Sequence, residues 1–371
     1  MIGVAGATGS VGRLVVAELA RLGAGPLRLG GRRRAELQQI AESLPNAEAF
    51  PFDLDDPEQT ARFCQGSSVV LNCAGPSYLI LDRLARATRD AQGIYVDVSG
   101  DEPVYQRLLN SSDPFTAVLS AGMLPGLSSL VPRWMSQSLT SVDALTTYIG
   151  GLERCSPSSA TDMILSMDAD DGANYGQPLA AWRDGHVVPR SLRPVKELEV
   201  PFIPDLVSAH PFLSPESERL ASDLRLKRHD FWNVFVGERL ITTFTRMRGS
   251  ETTGDTLDHA VQELTQAAEL DLLGRDPYYA LVFCMDGILH TRPVTRTAAI
   301  RTSDAYRLIA SMAASTTFAA AHGYVPEGVG FAAEMLDPEW VVDRIRQAPA
   351  VDVFEVVDRE RESDLMDEGA L

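Results

Sequence analysis

The sequence predicts an α/β protein: a doubly wound parallel sheet joined to a second, α+β unit whose sheet is mainly antiparallel. Three observations carry this. Up to about Ala121, short apolar runs alternate with helix-length amphipathic stretches, the pattern of a parallel sheet with crossover helices. Gly6-Ala7-Thr8-Gly9-Ser10-Val11-Gly12 stands between the first apolar run and the first amphipathic stretch. Past about Ala144 the apolar segments lengthen and lose their regular alternation with helices.

Taken in order, strands are expected at 2–5, 26–29, 47–52, 69–73, 94–98 and 117–119, with helices such as 11–22 and 34–43 between them. Six strands suit a doubly wound dinucleotide domain. In the second unit, 145–149, 279–285 and 294–300 read as strands, and the prolines and polar breaks of 177–215 read as a loop or lid. A helix is expected over 303–322, with Ser303 as its N-cap, Tyr306, Ile309, Met312, Ala313 and Thr316 on one face, and Gly323 past its end. The acidic stretch 352–371, nearly patternless beyond Val357, reads as a solvated tail. The expected domains are 1–125 for the dinucleotide, 126–302 for the second unit, 303–348 for a helical segment returning to the first, and 349–371 for the tail.

Composition narrows the function classes. The 371 residues suit two or three domains at about 150 residues each. With 45% hydrophobic and 23% charged residues, the chain is an ordinary folded globule rather than a disordered or fibrous one. A net charge of −18 repels nucleic-acid phosphates and anionic membranes, so neither is expected as a partner. No run reaches the roughly 18 apolar residues of a membrane helix, and Met1 leads straight into an apolar strand with no charged leader, so a cytosolic location is expected. Cys64, Cys73, Cys155 and Cys284 are scattered, without a CxxC pair or a histidine at ligand spacing. Neither a disulfide framework nor a metal site is expected.

The glycine run carries the mechanism. Gly6 permits the tight strand-to-helix turn, Gly9 lets backbone approach a pyrophosphate, and Gly12 lets helix and sheet pack closely. Thr8, Ser10 and Val11 complete the loop, whose free N–H groups at the helix start favour phosphate. After the second strand stands Gly30-Gly31-Arg32-Arg33-Arg34, with no carboxylate to receive a ribose 2′-hydroxyl. Gly31 leaves room and Arg32 and Arg33 can hold a 2′-phosphate, so NADP(H) is expected over NAD(H). Asp53, ending the third strand, is placed to contact the adenine or to cap the helix near Pro57. Asn72-Cys73-Ala74-Gly75-Pro76 ends the fourth strand with small residues, as a cofactor wall requires. The nicotinamide edge is expected at Asp97-Val98-Ser99-Gly100-Asp101-Glu102 and at Ser120-Ala121-Gly122-Met123-Leu124-Pro125-Gly126. Ser99, Gly100 and Gly122 are therefore candidate cofactor contacts.

GATGSVG at Gly6, LNCAGP at Leu71, YVDVSGDE at Tyr95 and SAGMLPGLSSLVP at Ser120 together resemble the saccharopine dehydrogenase-like reductases in motif and order. The likeness resumes at Asp304-Ala305-Tyr306 and at Gly323 to Val329, and is thinnest over about 151–281. The resemblance implies a Rossmann-like NADP-binding domain, an inserted α+β substrate and dimerisation domain, a homodimer, and hydride transfer to a C=N or C=C bond. Members include saccharopine-forming and opine-type enzymes, trans-acting enoyl reductases, and thiazolinyl imine reductases of pyochelin-type siderophore assembly. In length and single substrate domain, the chain is most similar to the last. Where the family often has threonine and glutamate, this chain has Ser99-Gly100-Asp101.

Reducing a C=N bond takes hydride onto carbon and a proton onto nitrogen, so one proton donor is needed within about 3 Å of that nitrogen. Asp101 and Glu102 are the candidates from the first domain, with helix-start carboxylates as their plain alternative. Tyr175, His229 and His290 are the candidates from the second. The basic stretch Leu224-Arg225-Leu226-Lys227-Arg228 would suit an acidic carrier protein, such as that of a nonribosomal peptide synthetase. The leading expectation is an NADPH-dependent imine reductase acting on a carrier-bound thiazoline. An enoyl reductase, a saccharopine-type or opine-type dehydrogenase clamping a dicarboxylate with Arg133, Arg154, Arg246 and Arg248, and a non-catalytic NADP(H) sensor are the alternatives.

Overall fold

The computed structural model describes residues 1–110, 114–166, 176–247 and 254–361. Its first sheet comprises β1 (Ile2–Ala5), β2 (Leu27–Gly31), β3 (Ala47–Pro51), β4 (Val69–Asn72), β5 (Ile94–Asp97), β6 (Ala117–Leu119) and a late strand, Val329–Phe331. All pairings are parallel, and the spatial order is late strand, β6, β5, β4, β1, β2, β3. β1 and β4 are short apolar runs buried at every position, as strands covered by helices on both faces must be. The strand order reverses between β1 and β4, and the crevice beyond their carboxyl ends is where such sheets bind ligands.

The late strand is a seventh, one more than the sequence predicts, and lies within the segment 303–348 read as helical. Three residues beside a glycine carry too little periodicity to show it. The helix before it spans Ala305–Ala321 and packs against the first helix, Ser10–Arg21, and against the parallel sheet. Its buried Ala313, Ala314, Thr317 and Ala320 let backbones come close. Asp304, rather than Ser303, caps it: the carboxylate accepts the Arg307 N–H at 3.3 Å. Gly323, at φ +73°, ends it.

Among the described residues, the second sheet has ten strands: β7 (Ser141–Leu152), β8 (Gln177–Pro178), β9 (Ala181–Arg183), β10 (His186–Val188), β11 (Val195–Leu198), β12 (Val207–Leu213), β13 (Arg228–Phe235), β14 (Tyr278–Leu289), β15 (Arg292–Thr302) and, after the late strand β16, β17 (Val353–Glu360). Its pairings are antiparallel except β7 with β13. Two expectations need correction. The stretch 177–215 is not a loop or lid but contributes β8 to β12; β12 alternates buried Val207, Ala209, Pro211 and Leu213 with half-buried residues, a signal its proline masks. Residues 353–360 are not a solvated tail but pair with β15 along the sheet edge. That strand is held by backbone pairing, by a bidentate Arg296–Asp358 ion pair at 2.7 and 2.8 Å and by Phe354 against Trp134, while most of its other side chains stay exposed. Residues 362–371 of the expected tail lie outside the described residues.

The helix Pro215–Asp223 joins the two units. Its Arg219 donates to Asp101 at 3.0 Å and Glu102 at 2.6 Å, lies 3.6 Å from Glu334, and stacks 3.5 Å over the ring of Phe331. One turn earlier, buried Glu216 accepts the Gly126 N–H at 2.8 Å and the Ser128 hydroxyl at 2.6 Å, at the start of the helix Leu127–Ser136. Burial pushes the Glu216 carboxyl up to about 7, against the pull of the Ser128 hydroxyl. Removing the guanidinium would leave several carboxylates facing one another in a low-dielectric seam. Arg219→Met is expected to lower unfolding free energy by about 3 kcal/mol in urea titrations, and an unchanged midpoint would show that the seam holds without it.

Candidate functional site

At the crevice, backbone meets backbone. A Cβ on Gly6, which has φ +76°, would lie 2.7 Å from the Ala74 nitrogen, and one on Gly12 would lie 2.1 Å from the Gly6 oxygen. Only glycines allow this interlock of the β1 and β4 loops with the first helix. Gly9 is the N-cap and offers no side chain, so the N–H groups of Ser10, Val11 and Gly12 lack intrahelical acceptors and face the crevice end of the helix. Buried Thr8 is braced from the next strand. Its carbonyl accepts from Arg13 Nε at 3.0 Å and from the Arg33 guanidinium, whose Nε also donates to Thr8 Oγ1 at 3.2 Å. Arg33 also pairs with Glu36 at 3.2 Å, while Arg32 is exposed and free of side-chain partners among the described residues. Gly31 keeps the space beside Thr8 open: a Cβ there would meet nothing closer than Thr8 Oγ1 at 3.7 Å. Asp53 is exposed and accepts the Asp55 N–H at 3.1 Å; Asp56, not Asp53, caps the helix Pro57–Cys64.

The cofactor wall is a hydrogen-bonded network. Asn72 donates to Asp97 at 3.1 Å and accepts the Ala74 N–H at 3.0 Å. The buried Asp97 carboxylate further accepts from Tyr95 OH and from the N–H groups of Ser99 and Gly100 at 3.0 and 2.7 Å. Adjacent strand ends are thereby tied together. Gly122 packs under Val98, whose oxygen a Cβ would approach to 2.7 Å, and burial pushes the Cys73 thiol up, keeping it protonated. Gly75, followed by Pro76, touches the second unit: a Cβ on it would lie 2.3 Å from Ser158 Oγ in the helix Pro157–Leu165. In the same helix Asp162 accepts the Tyr78 N–H at 3.4 Å, with its carboxyl pushed up to about 6 by burial.

The proton-donor candidates are dispersed. Asp101 and Glu102 are the acids that Arg219 holds in the seam; burial pushes Asp101 up against the pull of that guanidinium. His229, on β13, is buried between Thr147 Oγ1 and the Ser217 carbonyl, each at 3.3 Å. Burial pushes it down to about 4, so it is neutral at pH 7. His290 sits in the β14–β15 turn, and Tyr175 lies outside the described residues.

Two adjoining cavities lie between the units. The inner one, about 460 Å³, is lined by Leu124, Ile149, Phe212, Phe235, Phe244 and Tyr279 among others. The outer one, about 1220 Å³, reaches Ser10 and Arg13 of the first helix. Glu153, Arg154, Cys155, Ala305 and Tyr306 line both, making one tapered cleft. Tyr306 shapes its neck, accepting the Ser156 N–H at 2.9 Å. Burial, and secondarily Asp304, pushes the Glu153 carboxyl up to about 8. Sequence reading missed Glu153, Glu216 and Arg219. An acid just past a long strand was the only signal for the first, and it is a weak one.

Residues 2–115 match the saccharopine dehydrogenase NADP binding domain. The likeness is to the NADP-binding domain of the saccharopine dehydrogenase-like family, over residues 2–115 of the chain. A probable mitochondrial saccharopine dehydrogenase-like oxidoreductase of Arabidopsis thaliana is 29% identical over 119 residues, covering 28% of this chain and 26% of that protein. The chain thus spans about a quarter of that relative's length. Apo saccharopine dehydrogenase (L-Glu forming) from Saccharomyces cerevisiae shares the fold with a TM-score of 0.64 over 96% of this chain and 99% of that one, at 12% identity. The cofactor of this family's domain is NADP(H), and the residues fit it: an uncapped helix start for the pyrophosphate and a free arginine where a carboxylate would select NAD(H). Among the described residues, no helix is long and apolar enough to cross a membrane, and no group of metal-binding side chains is assembled.

Gly12 and His229 each give a measurable outcome. Gly12→Ala should abolish NADPH binding in calorimetry and lower the melting temperature, because its methyl group has nowhere to go beside Gly6. His229 should make the protein acid-sensitive. The unfolded chain protonates it below about 6.5 and the native fold resists until about 4, so stability falls as pH drops through that window, by at most about 3 kcal/mol. Unfolding curves of His229→Gln against the parent should show a shallower loss between those pH values.

Proposed function

We propose that the protein is an NADPH-dependent reductase that delivers hydride to a C=N bond, on an apolar, aryl-bearing heterocycle such as a carrier-bound thiazoline of siderophore assembly. The observation that carries this is the inner cavity, walled by Phe212, Phe235, Phe244 and Tyr279 and adjoining the NADP domain through Leu124. A planar, largely apolar group suits such walls. When bound, NADPH supplies the hydride. The Gly6 to Gly12 loop and the free helix start hold its pyrophosphate, Arg32 and Arg33 its 2′-phosphate, and Asn72 to Pro76 with Ser99, Gly100 and Gly122 wall its nicotinamide end. Asp97 keeps that wall rigid, and Asp101 and Glu102 hold the second unit against it through Arg219.

The wide outer cavity offers a long flexible tether a route to the inner one, which supports a carrier-bound substrate, and a cytosolic homodimer accords with this reading. The basic stretch contributes little to docking: Lys227 pairs with Asp143 at 2.8 Å and Arg228 with Asp286 at 3.5 Å. A dicarboxylate substrate is disfavoured by the arginines. Arg133 pairs with Asp223 and Glu334, Arg246 with Glu263, and Arg248 lies outside the described residues, leaving Arg154 at the cleft.

The test follows NADPH absorbance with a 2-aryl thiazoline, beside NADH and an enoyl thioester. Oxidation of NADPH with the thiazoline is expected, and Arg32→Ala should weaken NADPH binding by roughly 10- to 100-fold, at about 1.5–3 kcal/mol for a charged hydrogen bond, while sparing NADH. Oxidation with the enoyl thioester alone would replace the C=N reading, and tight NADPH binding without any oxidation would favour a sensor.

A further inference from the structure

We infer that Glu153 is the proton donor of this site, placed to protonate the substrate nitrogen at the neck of the cleft; the inference rests on the reductase reading above. Glu153 is the first residue past β7, a strand held between β13 and β14, so its backbone is fixed by the middle of the second sheet. Its close packing there depends on two glycines: a Cβ at Gly150 would lie 1.9 Å from the Val234 oxygen, and one at Gly151 2.2 Å from the Tyr278 oxygen. The side chain borders the inner and outer cavities alike, and it makes no hydrogen bond or ion pair among the described residues. An acid in that position has one face toward bound substrate and another toward solvent that can restore its proton.

The groups around it keep it neutral. Asp304 faces it from the start of the long helix with Tyr306, Tyr279 from β14, and Arg154 and Cys155 from its own loop; Arg13, Glu269 and Arg275 line the outer cavity beyond. Burial first and Asp304 second raise its carboxyl to about 8, so the acid form prevails at neutral pH. Tyr279 is pushed up further, by burial and then by Glu153, which makes it the weaker acid of the two. In the reaction, hydride reaches the imine carbon, the C=N π pair goes to nitrogen, the Glu153 O–H bond breaks and an N–H bond forms. The imine is reduced, NADPH is oxidised, and the carboxylate left behind is reprotonated from solvent through the outer cavity.

The experiment compares wild type with Glu153→Gln in three readouts: NADPH affinity, the pH profile of thiazoline reduction, and calorimetric binding of the thiazoline without cofactor. We expect NADPH affinity within twofold of wild type, a kcat lower by about 10²-fold or more, and loss of the wild-type decline in rate above about pH 8. Without cofactor, wild-type affinity for the thiazoline should fall as pH rises through the same region, and the variant's should stay flat. Should the glutamine variant fail to bind NADPH, Glu153→Asp decides: a displaced alkaline limb supports the assignment, and one at the wild-type position overturns it. Turnover with a wild-type profile in Glu153→Gln overturns the role of Glu153 alone. No turnover by the wild type with any imine, despite NADPH binding, overturns the reductase reading and this role with it.

Discussion

The structure depends on a place where backbone must touch backbone. Gly6, Gly12 and the Cys73-Ala74 peptide meet at the carboxyl ends of β1 and β4, where the strand order reverses, with no room for a side chain. That contact brings the uncapped helix start into the crevice and lets the β4 loop run on to the second unit. Fixing the two loops against each other also fixes where an anion is stabilised, because the free N–H groups cannot turn away. The hydrogen bonds around Asp97 extend the same rigidity to β5 and to the turn after β6.

Around this contact the two units are joined by charge rather than by apolar surface alone. Arg219 gathers Asp101, Glu102 and Glu334 about one guanidinium laid over Phe331, and Glu216 accepts the Gly126 N–H and the Ser128 hydroxyl at the start of Leu127–Ser136. Such a cluster is specific in geometry: removing the cation leaves like charges buried together, so the pieces fit in one arrangement. Asp101 and Glu102, the candidate acids of the sequence, are held in this cluster, and the helix that carries Arg219 forms one side of the second unit's packing against the first.

The cleft behaves differently. Its inner walls are mainly aromatic and aliphatic, and its neck carries an acid with no partner among the described residues. Burial that would destabilise a charged side chain elsewhere here keeps a carboxyl protonated near neutrality. His229, buried by the same kind of environment, is driven the opposite way because its charged form is the protonated one. One low-dielectric interior thus favours the neutral form of both groups.

Much of this was legible in the sequence. Apolar runs with crossover spacing marked β1 to β6, the glycine run marked the turn into the first helix, and the missing acid before Arg32 marked the phosphate preference, because each signal is local: a periodicity, a turn or a single neighbour. What sequence could not show was held by distant partners. The short late strand, the ion-paired edge strand β17 and the proline-broken β12 exist through neighbours far along the chain rather than through their own pattern. The same holds for the site. Arg219 claims Asp101 and Glu102 from 117 or more positions away, and the Glu153 carboxyl is raised by burial and by Asp304, which lies far along the chain. Local periodicity and turn chemistry determined the dinucleotide half; proximity across the fold, which sets burial and charge pairing, decided that Asp101 and Glu102 are paired across the units and that Glu153, among the described residues, lies at the neck of the cleft without a partner.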